Sequence, residues 1–274
     1  MVGAETFRNL LLLHPPSKDQ SDSIEASMST VHAGIARQAG TTTFVGLLDK
    51  YFYFFMSLLI AVTVVYGFSH TIDHNLVHAV PRRPWLLYLH ATVFSGWVAF
   101  FILQSALIRT RNVRIHRRLG WFGVALGVVI PVLGISAAIS MARFYLVHFH
   151  DASNIPFLSI QFCDITSFTI PFTLAILWRK KPEFHRRLVL VASCALTAAA
   201  FGRFPHYLLP YPWFYVGVDV LVFLGVVRDL IVNRRIHPVY RYALPALIVA
   251  ETFAVQLFLH TPPWWLKLAN AIVR

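Results

Sequence analysis

Apolar positions gather into seven runs along the chain, at 51–69, 85–108, 121–147, 155–178, 188–209, 213–232 and 242–259. Each is close to the ~20 residues that a helix needs to cross the hydrocarbon layer, and short polar connections separate them. The pattern predicts an all-α fold, a polytopic transmembrane helix bundle of about seven spans over residues 50–274. The sixth run is the least regular, because Arg228 and Asp229 shorten its uncharged part. Without that span the C-terminus would change sides.

Residues 1–49 read differently. They are mixed and polar, with His14-Pro15-Pro16-Ser17-Lys18-Asp19 followed by a Ser/Thr-rich stretch, and Leu10 to Leu13 is too short for the core of a signal peptide. The expectation is a cytoplasmic tail, partly disordered or lying on the membrane surface.

Orientation follows from the basic residues. The second-to-third connection holds Arg109, Arg111, Arg114, Arg117 and Arg118, the fourth-to-fifth holds Arg179, Lys180, Lys181, Arg186 and Arg187, and the sixth-to-seventh holds Arg228, Arg234, Arg235 and Arg241. Positive loops stay in the cytoplasm, so these three belong there, with the N-terminus inside and the C-terminus outside. The connection at 148–154 has no Lys or Arg and belongs outside, whereas the first-to-second connection, also outside, carries Arg82 and Arg83 against the trend. Trp85, Trp121, Trp178, Trp213, Trp264 and Trp265 fall at predicted span ends, the headgroup level that amphipathic rings prefer, and only Trp97 lies mid-span.

Composition narrows the classes. The chain is 57% hydrophobic and 13% charged, with a mean hydropathy of +0.61, which excludes an ordinary soluble domain. The formal charge of +12 sits in clusters between apolar runs, so the lipid bilayer and its anionic head groups explain it and nucleic acid does not. Cys163 and Cys194 lie in different apolar runs and predict no disulfide. There is no Gly-rich phosphate loop, no G-x-S-x-G elbow and no lysine within a span for a retinal Schiff base.

With that topology, His70, His74, His78, His90, His148, His150, His206 and His260 fall at the outer face, while His116, His185 and His237 lie in basic cytoplasmic loops. If the first span stays helical beyond Ser69, His70, His74 and His78 share a face at i, i+4 and i+8, a spacing that chelates transition metals. His148 and His150 join them as candidate metal ligands. Otherwise these imidazoles simply face water. Ionisable groups inside a span cost about 2.5–3.5 kcal/mol each at mid-depth and need a reason. Here they are His90, Arg143, Asp164, Arg203, His206, Asp219 and Glu251. His90, Trp97 and Gln104 recur every seventh residue, on one stripe. Two readings stay open: the arginines and carboxylates neutralise one another and tie helices together, or they line an outward-opening pocket in which His90 and His206 hold a cofactor. A haem or a transition metal is the cofactor this chemistry suits.

The tetrapeptide His-Arg-Arg-Leu occurs twice, at 116–119 and 185–188. Anionic lipid binding and fixing of topology suffice to explain it, although it also suggests an internal duplication.

The stretch Trp85-Leu86-Leu87-Tyr88-Leu89-His90 through Ser95-Gly96-Trp97, Gln104 and His116-Arg117-Arg118-Leu119-Gly120 resembles a family of uncharacterised multi-pass bacterial inner-membrane proteins. Lys181-Pro182-Glu183-Phe184-His185-Arg186-Arg187-Leu188 and Arg235-Ile236-His237-Pro238-Val239-Tyr240 fit it too. The resemblance implies an architecture and a place in the bacterial inner membrane, but no reaction. A fainter similarity is to helical cytochrome b proteins, where histidines on facing helices clasp haem. This chain lacks their second intramembrane His pair, so one outer haem is the most it could hold. Three functions are expected: a redox or metal-dependent membrane protein built on the outer His and carboxylate pocket, a transporter or small-molecule binder using the same pocket, or an accessory subunit with a membrane-protein partner.

Overall fold

The computed structural model describes residues 18–274 and is all-helical, with no strand among the described residues. Two compact units divide the chain, Met1–Asp49 and Lys50–Arg274. Helix α1 covers Lys18–Ser69 and so begins within the expected N-terminal tail, of which residues 1–17 lie outside the described residues. There follow a π-helical turn, Asp73–Val77, then α2 (Trp85–Arg109), α3 (Val113–Phe149), α4 (Leu158–Leu177), α5 (Pro182–Ala195), α6 (Ala198–Phe201), α7 (Tyr215–Asn233), α8 (Pro238–His260) and α9 (Pro263–Val273).

Six helical segments are long and apolar enough to cross a membrane: Phe44–Ser69, Trp85–Arg109, Val113–Phe149, Leu158–Leu177, Pro182–Phe201 and Pro238–His260. The outward faces explain why lipid must be the solvent. Phe55, Val62 and Val65 on α1, Val128 and Val132 on α3, and Val249 and Phe253 on α8 are all exposed, apolar faces on three helices that water would not tolerate. The protein is therefore a multi-pass membrane protein.

Inside, α5 is the central helix: Leu190, Val191, Ala192 and Cys194 have no exposed surface at all. It packs against α4 and α7, α4 in turn against α3 and α8, and α2 against α3. Hydrophobic attraction between helices is weak in lipid, so close approach of small residues replaces it. Gly67 on α1 packs against backbone, since a Cβ there would lie 2.3 Å from the Ala200 carbonyl oxygen.

Two sequence expectations change, and one helix is added. The fifth run does not stay helical to Leu209: α5 stops at Ala195, α6 at Phe201, and 202–214 is irregular. Pro205, Pro210 and Pro212 remove backbone donors there and disfavour helix before them. Nor does α1 run past Ser69, so the i, i+4, i+8 face of His70, His74 and His78 does not form. Finally, the residues after the last long run fold into α9. That helix is too short to span, and it buries Trp265, Ala269 and Val273 against Ala138, Ala142, Ile155 and Leu158.

Candidate functional site

The bundle has a basic end, where 109–118, 179–187 and 234–241 turn, and an opposite end carrying 70–84, 148–154 and 202–214. Towards the opposite end, three carboxyl groups share the interior of α4, α7 and α8. Asp164 accepts a hydrogen bond from the Tyr215 hydroxyl at 2.6 Å, and that hydroxyl also lies 3.4 Å from the Ile160 carbonyl oxygen. Asp219 on α7 and Glu251 on α8 are near enough to act electrostatically on one another, and Asp164 is near enough to act on Glu251. Asp219 Oδ1 and Glu251 Oε2 are buried with no partner, and Glu251 is only 3% exposed.

Neither arginine expected to neutralise this cluster reaches it. Arg143 on α3 turns to α9, where its Nε donates to the Val273 carbonyl oxygen and Nη2 to that of Ile272 at 3.4 Å. Arg203 donates from Nε to Thr71 Oγ1 at 3.1 Å and from Nη1 to the Ala199 carbonyl oxygen, and its guanidinium lies 4.4 Å from the Phe68 ring centroid. Among the described residues none of the three carboxyl groups makes an ion pair. Helix tying by mutual neutralisation is thus not how this cluster is built.

The histidines are scattered. His90 sits on α2 against Phe94, ring centroids 4.0 Å apart, with a buried Nδ1 that has no partner. Arg203 and the Leu133 backbone are its polar neighbours. His206 stands exposed in the irregular 202–214 segment, its ring 6.5 Å from that of Tyr211. His70 Nδ1 is bound to the Tyr66 carbonyl oxygen at 2.8 Å, His78 Nδ1 to Asp73 at 2.6 Å and His148 Nδ1 to the Phe144 carbonyl oxygen at 3.1 Å. His74 is exposed, and His150 caps α3 in the left-handed region at φ 51°. Among the described residues no three His, Cys, Asp or Glu side chains group to hold a metal.

At the basic end lies an arrangement the sequence reading missed. Arg187 is fully buried and grips Asp229 through Nε at 2.8 Å and Nη2 at 2.6 Å. Its Nη1 donates to Glu183 Oε2 at 2.6 Å, Arg228 Nη1 donates to Asp229 Oδ1 at 2.7 Å, and Asn233 adds a third donor to the same oxygen at 3.1 Å. The Tyr53 and Tyr240 hydroxyls are also buried, and the Arg228 guanidinium lies 5.6 Å from the Tyr53 ring centroid. The adjacent charges of Arg228 and Asp229 within an apolar run were the available signal, since buried charges at that depth call for a partner. The two His-Arg-Arg-Leu copies prove unlike: in α5 Arg187 points inward, while in α3 both Arg117 and Arg118 are exposed and His116 turns inward to stand 6.5 Å from the His185 ring.

No protein-family model, no curated protein and no solved structure matches this chain, so the site stands on its own geometry.

Proposed function

We propose that this protein is a transporter or small-molecule binder of the membrane, in which Asp164, Asp219 and Glu251 carry protons coupled to its ligand. The supporting observation is the buried, unpartnered Asp219 Oδ1 and Glu251 Oε2 in the interior that α4, α7 and α8 share with Asp164, with no ion pair to any of the three carboxyl groups among the described residues. Carboxyl groups in that setting exchange protons rather than hold fixed charges. Tyr215 orients Asp164 and relays a proton through its hydroxyl.

The topology completes the reading. Seven crossings, with the N-terminus in the cytoplasm and the C-terminus outside, require α7 to span despite Asp219, Arg228 and Asp229. Two features support this: its exposed residues before the terminal Asn233, Val216, Val220, Phe223 and Leu230, are all apolar, and Arg228 and Asp229 face inward. The carboxyl cluster then opens towards the outside of a bacterial inner membrane.

A bilayer-soluble carbodiimide tests the proposal without a known substrate, because it modifies protonated carboxyl groups inside membranes. Adducts should form on intact protein and disappear in Asp219→Asn and Glu251→Gln. Protein that takes no label at any pH sinks the proposal.

A second reading, redox or metal chemistry with a haem or transition metal, has one observation behind it, the buried and unpartnered Nδ1 of His90. A haem absorption band or stoichiometric metal that vanishes in His90→Ala would establish it in place of the first.

A further inference from the structure

Residues 74–150 contain no Asp or Glu, yet they carry Arg109, Arg111, Arg114, Arg117 and Arg118 at one turn of the bundle. Arg114, Arg117, Arg118 and Trp121 follow one another at i, i+3, i+4 and i+7 on α3, so they share a face, and with Val113 they line a single cleft. All three arginines are exposed, and none makes an ion pair among the described residues. Trp121 is 67% exposed at the head of the cleft, and Arg179 from the next basic turn lies 5.9 Å from its ring centroid. An exposed indole marks the level where headgroup meets hydrocarbon. The cleft thus places three unneutralised guanidinium groups at the depth of lipid phosphate, with an aromatic wall at the depth of the glycerol esters. Guanidinium groups match phosphate oxygens in geometry as well as charge.

We propose that this cleft is a binding site for the phosphate of an anionic phospholipid in the leaflet at the basic end. The inference rests on the membrane-spanning fold alone and is independent of the carboxyl cluster. The second His-Arg-Arg-Leu copy cannot do the same, because Arg187 is committed to Asp229 and Glu183.

Native mass spectrometry of the purified full chain, titrated with phosphatidylglycerol or phosphatidylcholine, tests it. Wild type should retain phosphatidylglycerol in preference to phosphatidylcholine. The triple variant Arg114→Gln, Arg117→Gln, Arg118→Gln should lose about a hundredfold in apparent affinity, roughly fivefold for each arginine near an anionic surface. Arg234→Gln with Arg235→Gln, which removes equal kinds of exposed charge elsewhere at the same end, should leave retention intact. The proposal is overturned if the triple variant retains lipid as wild type does, or if the control pair loses as much. Displacement of the lipid by millimolar inorganic phosphate would also overturn it, because the cleft would then serve a soluble anion. Unchanged melting temperatures show that the variants fold.

Discussion

Arg187 and Asp229 form a two-pronged ion pair, Nε to Oδ2 at 2.8 Å and Nη2 to Oδ1 at 2.6 Å, with both side chains wholly removed from the surface. Breaking such a pair from one side leaves an uncompensated buried charge, at a cost of about 3–5 kcal/mol. Arg187→Ala and Asp229→Ala should each lower the melting temperature in detergent markedly. A double Arg187→Leu, Asp229→Leu variant should be more stable than Asp229→Ala, because it does not leave the buried Arg187 guanidinium without its carboxylate. Single variants that melt with wild type would show the pair to be energetically idle.

Gly67 carries a different kind of constraint, one of space. The nearest atoms to an added Cβ are the backbone O, C and Cα of Ala200, at 2.3–2.9 Å, and backbone cannot step aside as a flexible side chain would. Gly67→Ala should therefore cost about 1–3 kcal/mol, the range for overpacking a close-fitted interior. Gly96→Ala is the control, since nothing lies within 4 Å of a Cβ there and alanine favours the helix. Equal thermal stability of the two variants would contradict the close approach of α1 and α6.

What the sequence could and could not convey divides along physical lines. The long apolar helices were legible because lipid imposes length and polarity on each helix separately. Partner choice was not. Arg143, Arg203 and three carboxylates at similar depth suggested mutual pairing, but depth says nothing of azimuth, and both arginines found carbonyl or hydroxyl oxygens instead. The same ambiguity hid the role of Arg187, whose tetrapeptide reads alike in two helices yet faces inward in one. The end of the fifth run was legible in principle, since Pro205, Pro210 and Pro212 forbid the helix that its hydropathy invited. His206 accordingly belongs to a loop.

His237 gives the protein a pH response outside the spans. Its Nδ1 accepts the Val239 backbone N–H at 3.2 Å and so caps α8, a task that only the neutral tautomer performs. Burial first, and then the Arg187 guanidinium, hold its pKa below the ordinary 6.5, with Asp229 and Glu183 acting in the opposite sense. A depressed folded pKa means that the unfolded chain binds the proton more readily, so this contribution is complete above pH 6.5 and is lost as the pH falls through the folded value. His237→Asn keeps a capping oxygen without titrating in this range. The melting temperature of wild type should fall more steeply below pH 6.5 than that of His237→Asn, and parallel profiles would dismiss the role.

Arg143 should hold the C-terminal helix in place. Its guanidinium donates to the Ile272 and Val273 carbonyl oxygens, which at the end of α9 have no partner within the helix, and a cation there also complements the helix dipole. The other end of α9 is fixed separately, by the Trp265 indole donating to the Pro156 carbonyl oxygen at 3.2 Å and by apolar burial against α3 and α4. Removing Arg143 should therefore loosen only the last turn. Hydrogen bonds to a charged donor contribute about 1.5–3 kcal/mol, so Arg143→Ala should speed amide exchange near residue 273 by at least about tenfold. Exchange near Trp265 should change little. Arg143→Lys, which keeps the charge but not the two-pronged reach, should fall between them. Uniform acceleration across α9 would mean that Arg143 anchors the whole helix, and no acceleration anywhere would mean that apolar burial alone holds it.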